Sequence, residues 1–177
     1  MKYIKMLIST LSVALVSTVV YAAPSTNLPL VASSELSPWT LSVSGGGSSA
    51  LVNDKNSVVG TQFQVGYLSK FVLPVEFGLR QNIGYSGGNG SSWVCSTKIY
   101  SDWTVLKLGN FQVDGGVNVG PTYGNTTLTW TISPEVVTRL YLTKTVDLFG
   151  RVEYPYNLNV GATANRLDYV IGLRVRF

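Results

Sequence analysis

The 177-residue sequence contains no histidine, one cysteine and two methionines. Without histidine, imidazole can serve neither as a general base nor as a metal ligand. The single cysteine, Cys95, excludes an intrachain disulfide and a cysteine metal cluster. We therefore predict no metal site and no cofactor.

Charged residues are scarce too, at 12% of the chain, against about 25% in an ordinary soluble domain. Apolar residues reach 45%, and 18 glycines and 10 tyrosines are present. This composition excludes a disordered chain, which needs high charge and few aromatics. Lys2 and Lys5, in the leader described next, supply half of the formal net charge of +4, so we predict no nucleic-acid partner.

Residues 1–22 have the features of a secretory signal peptide. Lys2 and Lys5 precede an apolar run from Met6 to Val20, and the small residues Ala22 and Ala23 suit cleavage after Ala22. The alternative is a membrane-anchoring helix, for which the run is short. We predict that residues 23–37 form an extended N-terminal tail and that residues 38–177 form the folded domain.

From Pro38 onward, apolar and polar residues alternate with a period of two, which is typical of β-strands. The pattern predicts eight strands, at about 38–47, 57–68, 71–85, 97–107, 110–123, 127–142, 145–156 and 166–177. Tight connections at 69–70, 108–109 and 143–144 alternate with longer, Gly- or Asn-rich ones. Pro134 lies inside the sixth strand, where it cannot donate a backbone hydrogen bond, so we expect a bulge or a local break there.

Eight strands joined as hairpins indicate an up-and-down antiparallel barrel. A soluble carrier would turn the apolar face inward, whereas an outer-membrane barrel turns it toward lipid. The polar face carries Gly, Asn, Gln and opposite charges, which suits a narrow polar interior. Aromatic residues lie near the strand ends of the apolar face, as in interfacial girdles: Trp39, Tyr67, Phe71, Tyr85, Tyr123, Tyr156 and Phe177. We therefore predict an all-β, eight-stranded antiparallel up-and-down transmembrane β-barrel.

The C-terminal segment ends in a terminal aromatic after alternating apolar residues, namely Tyr169, Ile171, Leu173, Val175 and Phe177. It resembles the C-terminal signature of bacterial outer-membrane barrels, and the chain as a whole resembles the small eight-stranded, porin-like OmpA/OmpX type. The resemblance implies export to the cell outer membrane, a periplasmic N-terminus and contact with outer-membrane lipid. It also implies recognition of this segment by the barrel-assembly machinery.

Most charges of the mature chain fall on the face assigned to the lumen. The predicted lumen network is Glu76, Arg80, Lys98, Asp102, Asp114, Glu135, Arg139, Arg151, Glu153, Asp168, Arg174 and Arg176. One interpretation is a structural salt-bridge core in a barrel too narrow for a channel. The other is a gated ion path in which the pairs exchange partners. The carboxylates could also perform acid–base chemistry, but we predict that the protein is not an enzyme.

Trp93 and Cys95 follow a Gly/Ser run and are predicted in the second outer loop, where Trp93 would be a contact anchor or would pack on the rim. Cys95 would be a shielded free thiol or an intermolecular disulfide site. The sequence therefore predicts a structural envelope protein whose outer loops contact an unidentified ligand, host surface or phage. The alternatives are a small pore for ions or polar solutes and a soluble carrier of a hydrophobic ligand.

Overall fold

The computed structural model describes residues 37–50, 57–69, 74–87, 92–124, 128–158, 162–163 and 166–177. The predicted signal peptide, residues 1–22, and the predicted tail as far as residue 36 lie outside these ranges. Within them, no helix has the length and apolarity that crossing a membrane requires.

The described residues form strands joined in one antiparallel sheet. In chain order the strands are β1 (Trp39–Ala50), β2 (Ser57–Ser69), β3 (Val75–Gly87), β4 (Ser92–Leu108), β5 (Phe111–Tyr123), β6 (Leu128–Tyr141), β7 (Val146–Glu153), β8 (Tyr156–Asn157), β9 (Ala162–Thr163) and β10 (Arg166–Arg176). Strands β1 to β7 pair in sequence order, and β10 pairs with both β7 and β1. These pairings close a ring of eight strands, to which the two-residue strands β8 and β9 are added. The predicted fold class is confirmed.

The two faces of the strands separate by polarity, as the alternation predicts. Along β5, the side chains of Gln112, Asp114 and Asn118 are buried within the barrel. Apolar side chains point outward, and Ile99 on β4 is 62% exposed. The buried hydrophobic side chains include Tyr100, Val137 and Phe149. The described core is therefore mostly polar and lies inside the barrel, while the apolar surface lies outside it.

The short turn between β4 and β5 depends on a glycine. Gly109 has a φ of +57°, in the left-handed region that side chains with a Cβ rarely adopt. A second short connection, residues 142–145, joins β6 to β7, and there Leu142 and Thr143 donate backbone hydrogen bonds to the Val146 carbonyl, each 3.0 Å long. Both turns agree with the predicted tight connections, and the predicted one at 69–70 continues into residues outside the described ranges.

The structure corrects two local predictions. Strand β4 begins at Ser92 rather than near residue 97, so Trp93 and Cys95 lie on a strand and not in a loop. Strand β6 continues through Pro134 with unbroken pairing to β5. The break instead lies in the neighbouring strand, between Glu153 at the end of β7 and Tyr156 at the start of β8. At that break the Tyr154 N–H donates to the Pro134 carbonyl at 3.1 Å.

Candidate functional site

The candidate site is the set of charged side chains inside the barrel. Of the twelve predicted lumen residues, the structure buries ten, namely Glu76, Arg80, Lys98, Asp102, Asp114, Glu135, Arg139, Arg151, Glu153 and Arg174. Asp168 and Arg176 are only half-buried. Asp147 is buried as well and was missed, although it continues the same alternation as Arg151 and Glu153 on β7. We call these eleven buried residues, including Asp147, the lumen network.

Like charges face each other along the barrel wall. Arg80 on β3 lies opposite Lys98 on β4 in the strand register. Further along the same strand pair, Glu76 lies opposite Asp102. Like charges placed directly opposite on adjacent strands are destabilising. The wall pairs of this region therefore need partners from elsewhere in the barrel.

Those partners come from across the interior. Arg80 donates from Nη1 to Glu135 Oε2 at 2.7 Å and from Nη2 to Glu135 Oε1 at 3.0 Å, a bidentate pair that joins β3 to β6. Lys98 Nζ donates to Glu153 Oε1 at 2.9 Å and joins β4 to β7. Glu135 and Glu153 are themselves opposite each other in the register of β6 and β7. Two cations on one wall thus neutralise two carboxylates on another.

Glu76 is the centre of the second part of the lumen network and is only 1% exposed. Its carboxylate accepts hydrogen bonds from Thr40 Oγ1 at 3.0 Å and from Tyr100 Oη at 2.9 Å. Arg139 Nη2 lies 3.1 Å from Glu76 Oε2, and Arg174 also donates to that oxygen. One carboxylate therefore connects side chains from β1, β3, β4, β6 and β10.

The two arginines that meet at Glu76 also bind carboxylates nearer to them on the wall. Arg174 binds Asp147 Oδ2 from Nε at 2.8 Å and from Nη2 at 2.7 Å. Arg139 Nη1 lies 2.6 Å from Asp114 Oδ2, and its Nη2 lies 3.3 Å from Asp102 Oδ2. Because buried ions need both a counter-ion and hydrogen bonds, each guanidinium serves as the counter-ion of carboxylates on more than one strand.

A neutral amide holds the paired carboxylates of β6 and β7 together. Asn118, which is fully buried, donates from Nδ2 to Glu135 Oε2 at 2.7 Å and to Glu153 Oε2 at 2.8 Å. Arg151 Nε lies 3.5 Å and 3.9 Å from the same two carboxylates, and its guanidinium also bonds Gln62 and Gln64 on β2. Asn118 was not predicted, although its place in the polar alternation of β5 could have indicated it.

The lumen network has one carboxylate more than it has cations. The six carboxylates are those of Glu76, Asp102, Asp114, Glu135, Asp147 and Glu153, and the five cations are Arg80, Lys98, Arg139, Arg151 and Arg174. Asp102 Oδ1 has no hydrogen-bond partner among the described residues, and the same is true of Asp114 Oδ2 and Asp147 Oδ1. Asp102 differs from those two in the length of its ion pair, which is 3.3 Å to Arg139, against 2.6 Å for Asp114 and 2.7 Å for Asp147. Among those residues, no group of His, Cys, Asp and Glu is arranged to hold a metal ion.

Charges near the ends of β10 belong less closely to the network. Arg166 Nε lies 3.0 Å from Asp168 Oδ1, and these side chains are 29% and 21% exposed. Since ion pairs that reach water contribute little stability, this local pair differs in kind from the cross-lumen pairs.

The predicted assembly segment lies on β10 and just beyond it. Ile171, Leu173, Val175 and Phe177 are exposed on the outer wall, while Tyr169 is half-buried. The Phe177 N–H donates to the Trp39 carbonyl at 3.3 Å, so the last residue is tied to the first strand.

The two predicted loop contacts lie on the outer wall of β4. Trp93 is 67% exposed and packs edge-on against Tyr85 of β3, with ring centroids 5.6 Å apart. Cys95 is a half-buried free thiol that accepts a hydrogen bond from Gln81 Nε2 at 2.9 Å. The structure thus favours the rim-packing interpretation of Trp93 and does not place either residue in a loop.

Comparisons with known proteins identify the fold. No protein-family model matches the chain, and no curated protein sequence matches it. The solved structure of Neisserial surface protein A matches with a TM-score of 0.59 and 14% identity, covering 78% of this chain and 96% of that one. The N-terminal β-barrel domain of Pseudomonas aeruginosa OprF matches with a TM-score of 0.53 and 12% identity, covering 81% and 100%. This chain therefore has the fold of the small eight-stranded barrels found in outer-membrane proteins.

Proposed function

We propose that this protein is a non-enzymatic barrel of the bacterial outer membrane whose lumen is closed by its own ion pairs. The outer wall supports the membrane location, since large apolar side chains such as Leu79, Ile99 and Ile171 are exposed there. A closed barrel pairs the backbone groups of neighbouring strands around the whole ring, as hydrocarbon requires. Aromatic side chains near the strand ends, including Trp39 and Tyr85, match interfacial girdles.

The observation that carries the proposal is the bidentate bond between Arg80 and Glu135 across the interior. An eight-stranded barrel has an interior just wide enough for side chains to fill. Side chains that reach across it and bond to the opposite wall occupy the space that a permeating solute would need. We therefore assign the protein a structural role in the envelope rather than a transport role.

The same interior argues against a soluble carrier of a hydrophobic ligand. Such a carrier needs an apolar cavity, whereas the described interior holds Glu76, Arg139 and the other charges of the lumen network. A small pore is the competing function, in which the ion pairs would exchange partners to admit ions or polar solutes.

Planar-bilayer conductance separates the two functions. We expect the purified wild-type barrel to show little steady conductance, and Arg80→Ala to raise the open probability because it removes the bidentate bond across the lumen. Ile171→Ala, a truncation on the outer wall, is the matched control and should conduct as the wild type does. Large, steady openings in the wild-type protein would contradict the structural role and support the pore function.

The membrane location has its own test. The exported protein should fractionate with outer membranes, need detergent for extraction and migrate differently in gels before and after heating. N-terminal sequencing of the mature chain should begin at Ala23 if residues 1–22 are the signal peptide. Release into buffer after export would contradict the outer-membrane assignment.

We further propose that the outer connections make the surface contacts of the protein, with an extracellular ligand, a host surface or a phage as partner. The connections 51–56, 88–91, 125–127 and 159–161 lie outside the described residues. Replacing 88–91 with a short Gly-Ser linker should reduce cell adhesion or phage adsorption without changing the heat-dependent gel shift. If adhesion and adsorption are unaffected when each of these connections is replaced, the surface-contact role is wrong.

A further inference from the structure

A cluster of polar side chains interrupts the apolar outer wall at β3 and β4. Gln81 and Thr97 face each other across this strand pair. Thr97 Oγ1 donates to Gln81 Oε1 at 2.6 Å, and Gln81 Nε2 donates to Cys95 Sγ at 2.9 Å. We call these three residues the Gln81 patch.

Gln81 and Thr97 lie near the middle of the proposed lipid-facing band, and Cys95 lies two residues from Trp93, nearer its edge. Gln81 is midway along β3 between the outward aromatics Phe77 and Tyr85, or about 13 Å of strand from each at about 3.3 Å per residue. Thr97 lies between Trp93 and Trp103 on β4. Since aromatic residues mark the two interfaces of a membrane barrel, the Gln81 patch is placed at hydrocarbon depth.

The hydrogen bonds within the patch do not use the full capacity of the amide. A glutamine side chain offers two N–H donors and two lone pairs on its oxygen. Among the described residues, one N–H bonds to Cys95 and one lone pair accepts from Thr97, which leaves one donor and one acceptor. Lipid tails offer neither, and polar groups in hydrocarbon are costly unless another protein group satisfies them.

We propose that the Gln81 patch is the centre of a homodimer interface between two barrels in the membrane. A twofold axis beside Gln81 would let the free N–H of each amide donate to the free lone pair of the other, so the same surface serves both copies. The exposed apolar side chains of Phe63, Ile83 and Ile99 surround the patch and would pack around these hydrogen bonds. This inference rests on the proposed membrane location, and its partner is a second copy of this chain.

Cys95 provides the test, because its thiol bonds to Gln81 and would lie near the Cys95 of the second copy. In phosphatidylcholine vesicles, a short membrane-permeable bismaleimide should cross-link the purified wild-type barrel into dimers. The matched control carries Cys95→Ser and Val136→Cys, which moves the thiol to the exposed outer wall of β6. That variant should give no dimer above the level of random collisions.

Substitution of the amide tests the hydrogen bonds themselves. Gln81→Met keeps the length of the side chain, and we expect it to raise the dimer dissociation constant about tenfold, as measured by energy transfer between labelled barrels in vesicles. Thr138→Val, which removes a hydroxyl from the outer wall of β6, should leave the constant unchanged. The heat-dependent gel shift, recorded for each variant, reports folding separately.

Equal cross-linking through Cys95 and through the cysteine at position 136, or monomers at every protein-to-lipid ratio, would overturn the dimer. If Gln81→Met leaves the dimer dissociation constant unchanged, the Gln81 patch is not the centre of the interface. If Gln81→Met fails to fold, the comparison of the two cysteine positions still decides the question. A wild-type protein that does not partition into vesicles at all contradicts the membrane location instead, so the two failures are distinguishable.

Discussion

Glu135 on β6 and Glu153 on β7 lie directly opposite each other in the strand register, and both are buried. The cations that neutralise them, Arg80 and Lys98, are also opposite each other, on β3 and β4. At these two positions, each strand pair therefore places two like charges side by side. Closure of the ring brings the two pairs together, so each pair meets its counter-ions only in the closed barrel.

The bond between Arg80 and Glu135 gives the first prediction. Arg80→Gln or Glu135→Gln should each lower the free energy of unfolding by about 3–5 kcal/mol, because each leaves a buried charge without its main partner. The double variant should lose less free energy of unfolding than the two single variants lose together. Urea unfolding in lipid vesicles measures all three.

Arg166→Gln is the control for these three variants, because the ion pair between Arg166 and Asp168 is partly exposed. It should change the free energy of unfolding by less than about 1 kcal/mol. Strict additivity of the Arg80 and Glu135 substitutions would contradict the coupling across the lumen.

The surplus carboxylate gives the second prediction. Asp102→Asn should leave the stability unchanged or raise it, because it removes a negative charge whose Oδ1 has no partner among the described residues. Arg139, which it contacts, keeps both Glu76 and Asp114. Glu153→Gln is the matched comparison. It should lower the free energy of unfolding by about 3 kcal/mol, because it leaves the buried Lys98 without its carboxylate. Urea unfolding measures both variants. Equal losses of unfolding free energy would show that the surplus negative charge is not located at Asp102.

The outward assignment of the apolar face gives the third prediction. Ile171→Lys, on the outer wall of β10, should destabilise the barrel by about 2–4 kcal/mol in vesicles, because it places a charge in hydrocarbon. Leu108→Lys, at the end of β4 beside a turn, should cost less than about 1 kcal/mol, since the cost falls toward the interface. Reversible unfolding in vesicles gives both values, and a larger loss for Leu108→Lys would reverse the assigned depths.

The C-terminal aromatic gives the fourth prediction. Deleting Phe177 should slow the appearance of the heat-modifiable barrel in cells while leaving export intact, as a pulse-chase experiment can show. The physical loss to the finished barrel is small, about 1 kcal/mol for one backbone hydrogen bond at its end. Refolding of the purified variant into vesicles should therefore be nearly normal, and Phe177→Tyr should assemble at the wild-type rate. An equal defect in cells and in vesicles would point to barrel stability rather than to recognition by the assembly machinery.

Local sequence was a poor guide where small polar residues dominate. The run before Trp93 is rich in Gly and Ser, which is typical of a loop, yet β4 starts at Ser92. Pairing with β3 extends the strand, since Trp93 pairs with Tyr85 and Ser92 with Ser86. The neighbouring strand thus extended β4 past Trp93 to Ser92, a residue type common in loops.

The sequence by itself determined the fold class and the polarity of the two faces. Both follow from the period-two alternation, because successive side chains on a strand point to opposite faces whatever that strand pairs with. The absence of histidine is likewise a property of the sequence alone, and it excludes imidazole chemistry however the chain folds.

The tertiary structure alone decided which lumen charges meet. Arg80 and Glu135, or Arg174 and Glu76, lie on strands that are not neighbours in the ring, so neither alternation nor hairpin register relates them. Their approach depends on the stagger of all eight strands at closure, and a shift along any strand pair would change every partner across the lumen. The ion pairs are thus a property of the closed ring, because only closure places opposite walls within the reach of one side chain.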